Sequence, residues 1–196
     1  MATSTRLRRG MSDQTRFLLD KVTARRILEG LLKLAEARDL TAEEVVALAL
    51  YERAGSHGLR QFIVPSTESV LRRLGDRPRY TAIIHLFRQH VEVAFPTRYF
   101  KRWARRVQGY GFTPEDAGVL ALGTFGTDQE ARILGMHVVV TFDQPMVTQW
   151  ATQHAAIQAH LAAMQQDLPM PYRQTALPQV LRSEDVDRGL NLPSPA

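Results

Sequence analysis

Four acidic residues stand where this chain could use them for chemistry. Asp20 ends the apolar run Arg16-Phe-Leu-Leu, and Glu68 falls in the first turn of a helix after Gln61-Phe-Ile-Val. Asp116 lies three residues after Thr113, and Asp143 closes His137-Val-Val-Val-Thr-Phe. Clustered carboxylates are hard oxygen donors, the ligand set of Mg²⁺ or Mn²⁺. Such ions activate water and stabilise charge in phosphodiester cleavage. The sequence offers no Gly-rich phosphate loop, no nucleophile elbow and no HExxH motif. His154 and His160 are too far apart along a helix to share a metal. The chain has no cysteine, which removes disulfides, thiolate metal sites and cysteine nucleophiles and suits an intracellular setting.

The elements that must position these acids can be read from periodicity. Residues 137–142 are β-branched and aromatic with no charge, the pattern of a parallel strand covered on both faces, so Asp143 falls at its carboxyl end. Thr113 suits an N-cap and Pro114 the first helical position, which starts a helix carrying Asp116. Both acids also have a plainer reading. Asp116 occupies the acidic slot of a capping box, and Asp143 suits a turn before Pro145. Further strands are expected at 16–20, 61–65 and 90–95. Helices are expected at 23–37, from the capping box Thr41/Glu44 onward, at 67–74, 80–89 and 98–107, and a small one begun by Thr127 with Glu130. The order implies a three-layer α/β/α fold with a mainly parallel sheet of about four strands and a C-terminal helical extension.

We read residues 1–15 as a flexible leader, 16–145 as the domain, 146–168 as a C-terminal helix and 169–196 as a Pro-rich, partly disordered tail. The helix carries a seam, Val147, Trp150, His154, Ile157, Leu161, Met164 and Leu168, at spacings of three and four. Such a seam must be buried against the domain, against a second copy in a homodimer, or against a partner protein. The formal net charge of +5 favours an anionic partner. Arg98, Lys101, Arg102 and Arg105 fall on one side of a helix and could track a nucleic-acid backbone or form a solvated face. No apolar run is long enough to cross a bilayer, so a soluble, cytoplasmic protein is expected.

In the order and wording of its acidic motifs the chain resembles the PIN-domain ribonucleases, of which VapC-type toxins are one branch. The residues that carry the likeness are FLLD for Asp20, IVPSTESVLRRL for Glu68, TPEDAGVLALG for Asp116 and VVVTFD for Asp143, spread over roughly residues 16–148. The resemblance implies a PIN-like fold and a metal-dependent endoribonuclease. Asp20, Asp116 and Asp143 would hold Mg²⁺ or Mn²⁺, with Glu68 or Glu115 as the fourth acid. The chain departs from the family after the first Asp: Lys21 and Val22 stand where a small hydroxyl residue and often Asn are usual. Lys21 could contact phosphate or take the place of a metal's charge. The alternative is therefore a non-catalytic PIN-like module that binds a protein or RNA.

Overall fold

A computed structural model describes residues 15–186; residues 1–14 and 187–196 lie outside the described part. The elements in chain order are β1 (Arg16–Leu19), α1 (Lys21–Ala35), α2 (Ala42–Ser56), β2 (Arg60–Ile63), α3 (Pro65–Gly75), α4 (Pro78–Arg88), β3 (Val91–Val93) and β4 (Phe95–Pro96). They continue with α5 (Phe100–Gln108), α6 (Pro114–Phe125), β5 (Gly126–Thr127), β6 (Val138–Thr141), α7 (Gln144–Gln165) and β7 (Gln179–Arg182). Five strands form one parallel sheet in the order β3-β2-β1-β6-β7, and β4 pairs antiparallel with β5 in a separate ribbon.

Period-two alternation along the strands builds two cores. Leu18, Phe62, Val139 and Val180 face α5, α6 and α7, whereas Phe17, Leu19, Ile63, Val138 and Val140 face α1 to α4. The result is a three-layer α/β/α sandwich, as the sequence implies, with one strand more than the four read from it.

Two sequence expectations change, and a third settles on one of its alternatives. The tail is not disordered where it is described: Val138 to Thr141 pair with Gln179 to Arg182, so residues 179–182 complete the sheet edge. No small helix starts at Thr127; its hydroxyl donates to the Ile133 carbonyl at 2.7 Å, and buried Asp128 anchors the following loop by accepting from Arg132 N–H and Arg60. Third, the seam of α7 is interior. Trp150, Ile157, Leu161, Met164 and Leu168 are buried in the core shared with Leu18 and Val139, so these side chains are not available to a second copy or a partner protein. His154 is exposed, edge-on to Trp150. Among the described residues no helix is long and apolar enough to cross a membrane.

Candidate active site

Strand β1 is flanked by β2 on one side and β6 on the other. Chain order runs outward from β1 to β3 in one direction and through β6 to β7 in the other. The gap between the carboxyl ends of β1 and β6 is thus the topological switch point, where open α/β sheets bind their ligands. Asp20 follows β1 and Asp143 lies just beyond β6. Both are helix N-caps: Asp20 Oδ1 accepts the Thr23 N–H at 2.6 Å, and Asp143 Oδ1 accepts the Met146 N–H at 3.3 Å. Thr113 caps α6 by accepting the Asp116 N–H at 3.1 Å, and its hydroxyl donates to Asp116 Oδ2 at 2.7 Å. Gly111 lets the chain turn from α5 into this cap. Its φ is +88°, and a Cβ there would lie 2.6 Å from the Gln149 amide nitrogen that donates to the Tyr110 carbonyl.

Three helix N-termini therefore border one cavity of about 260 Å³, lined by Asp20, Glu115, Asp116 and Asp143 together with Lys21 and Arg25. Four carboxylates face two cations, and the positive ends of the helix dipoles offset part of the remaining charge. Glu68, placed among the acids from sequence, does not line this cavity. Its carboxylate is held by Arg72 at 2.9 Å and Arg88 at 2.7 Å. Glu115, one residue before Asp116 and the other acid open to that place from sequence, does line it. Arg25 escaped the sequence reading, although its position one turn after Lys21 puts both on the same side of α1.

The donor set suits a hard divalent cation in chemical type. As placed, each acid is otherwise engaged: Asp20 with Thr23 and Thr141, Asp143 with Met146, Asp116 with Thr113, and Glu115 with Lys21 at 3.4 Å. Among the described residues no group of three or more such side chains is arranged to hold a metal ion. Loading would require these carboxylates to exchange some of those contacts for the cation.

Asp20 is the most constrained of the four, only 7% exposed. Burial pushes its carboxyl above the usual range, against hydrogen bonds from the Thr141 hydroxyl at 2.5 Å and the Thr23 N–H, and nearby Asp143 adds to the rise. The native state thus holds this proton more tightly than the unfolded chain. In metal-free buffer, stability should fall as pH rises from the unfolded pKa toward the higher folded one, and stay lowered above it. Asp20→Asn keeps a good N-cap and removes the buried charge. Melting curves across pH should show a higher Tm than wild type at neutral pH and a flatter acid profile; an unchanged profile would show that Asp20 carries no such penalty.

The cationic side chains of α5 and the turn before it do not line the acidic cavity. Arg98 sits in the turn before this helix, and Lys101, Arg102 and Arg105 are exposed along it, while Trp103, Ala104 and Val107 are buried beneath. Arg98 packs over the Tyr99 ring. No protein-family model matches the chain, and no curated protein matches it.

Proposed function

We propose that the chain is a metal-dependent endoribonuclease of PIN-domain type, acting in the cytoplasm on single-stranded RNA. The observation that carries this reading is the convergence of Asp20, Glu115, Asp116 and Asp143 on one cavity at the switch point of a parallel sheet. These four acids would hold Mg²⁺ or Mn²⁺ through oxygen. A bound ion of this kind supplies Lewis acidity and lowers the pKa of a water molecule enough to make it a nucleophile at neutral pH. The chain's own residues have distinct parts in that chemistry. Buried Asp20, biased toward its protonated form, can give up its proton on cation binding or hold one near the reacting oxygen. Lys21 and Arg25 at the cavity edge can neutralise the phosphate. The reducing environment of the cytoplasm is consistent with a chain that has no cysteine.

The reading is tested by calorimetric titration of the full chain with Mn²⁺ alongside an RNA cleavage assay. Heat of binding together with Mn²⁺-dependent cleavage is expected. Neither heat nor cleavage would leave the second reading, a non-catalytic PIN-like module that binds RNA or protein. That second reading is favoured by one contact, the Lys21 ammonium 3.4 Å from Glu115, which puts a fixed cation beside the acids.

The basic face of α5 is the proposed track for the RNA backbone. Replacing both Arg102 and Arg105 by Ala should reduce the salt slope of single-strand binding by about 1.4, since each phosphate contact contributes roughly 0.7. Both side chains are exposed, so Tm should move little. An unchanged slope would make this a solvated face.

A further inference from the structure

A second concavity, about 290 Å³, opens between α1, α3 and α4 and shares Lys21 and Arg25 with the acidic cavity. Its size lies at the lower edge of the roughly 300–1,000 Å³ of small-molecule sites. Its wall is overwhelmingly apolar and includes Tyr80 and Ile83 from α4 and Val70 from α3. Val70 is 36% exposed, a large apolar side chain left at the rim. The wall's charged members, Lys21, Arg25 and Glu29, all come from α1, and α3 adds one polar group. Thr67, three residues into α3, is 5% exposed and lines the groove, yet its Oγ1 is buried with no hydrogen-bond partner. A helical threonine ordinarily bonds back to a carbonyl of the preceding turn, and an unpaired buried hydroxyl costs stability. The carbonyl four residues back, that of Ile63, already accepts the Ala94 N–H.

We propose that this groove receives an unstacked nucleobase of single-stranded RNA, next to the acidic cavity that takes the scissile phosphate. The proposal rests on the nuclease reading and names how that site would choose its substrate. A base has apolar faces and polar edges, which matches an apolar slot containing one unsatisfied hydroxyl. Recognition of single-stranded RNA commonly takes this form, with the base turned out, packed on side chains and read at its edge. Lys21, paired with Glu115 at 3.4 Å, and Arg25, paired with Glu29 at 3.7 Å, stand at the junction of the two cavities, where each would exchange its exposed carboxylate for the phosphate between a seated base and its neighbour. A wholly apolar ligand would have no use for those cations, and a free anion would have no use for the groove.

The test measures binding of a short fluorescein-labelled single-stranded RNA to the full chain in EDTA, so that no cleavage intervenes. Wild type is expected to bind the intact RNA roughly tenfold more tightly than the same RNA carrying abasic residues. Val70→Asp, which places a carboxylate at the groove mouth on an exposed position, should remove that gap. Thr67→Val keeps the side-chain shape, removes the unpaired hydroxyl and should not lower Tm; it should narrow the affinity differences among oligo(A), oligo(U) and oligo(C). If abasic RNA binds as well as intact RNA, or neither variant changes the gap, the groove is not a base site and a protein segment becomes its better occupant. If the abasic gap and its loss in the variants are seen but Mn²⁺ yields no cleavage, the nuclease reading fails while the groove assignment stands.

Discussion

Asp143→Asn is expected to lower Mn²⁺-dependent RNA cleavage by about 10²- to 10⁴-fold, the range for losing a positioned acid–base or ligand group. The substitution is chosen to separate chemistry from folding. Asn is as good an N-cap as Asp, so the bond to the Met146 N–H that starts α7 is kept. Asp116→Asn should behave alike, because the Thr113 hydroxyl can donate to an amide oxygen as it does to the carboxylate. Glu115→Gln and Glu68→Gln then distinguish the two possible fourth acids. Glu115 lines the cavity and its loss should weaken Mn²⁺ binding in the calorimeter. Glu68 is bound by Arg72 and Arg88 and does not line the cavity, so its loss should leave both heat and rate unchanged. Wild-type rates in Asp143→Asn with an unaltered melting curve would reduce Asp143 to a cap, and the same outcome in Asp116→Asn would leave no chemistry in the cavity.

These acids were legible because the signals that place them are local. Strand, acid and helix follow one another within a few residues at Asp20 and Asp143, and Thr113-Pro114 marks a helix start without help from the rest of the chain. The capping box of Thr41 and Glu44 is formed for the same reason, with Glu44 Oε2 accepting the Thr41 N–H at 2.7 Å. What the local pattern leaves open is decided in part by contacts from far away. Glu68 is drawn off by Arg88 across 20 positions. Thr127 and Glu130 have capping-box spacing, but Thr127 is held in the short β5 and bonds the Ile133 carbonyl. The shift at Asp20 comes from its burial in the folded chain, opposed by the Thr141 hydroxyl 121 positions on. Local pattern thus found which groups stand at the switch point, and tertiary contact decides which remain free to act.

Strand β7 is the strongest instance of that limit, and ending the chain before it should have the largest effect on folding. Gln179-Val-Leu-Arg is short, follows a Pro-rich stretch and has little pattern of its own, so its structure comes from pairing with β6. Its contributions are nevertheless interior. Val180 is 7% and Val186 1% exposed, and Pro178 packs so closely on α6 that a Cβ at Gly123 would lie 2.7 Å from its ring. Each fully buried valine is worth about 1.5–3 kcal/mol. Removing residues 170–196 also unpairs the β6 edge and uncovers Val139 and Val140, both fully buried in the whole chain. Against a typical total stability of about 5–15 kcal/mol, a loss of roughly 5 kcal/mol should unfold much of the population or drive edge-to-edge association. A chain stopped after Pro169 is therefore expected to elute as aggregate or to lack a cooperative melt. A monodisperse monomer with a wild-type Tm from the shorter chain would show that β7 is dispensable.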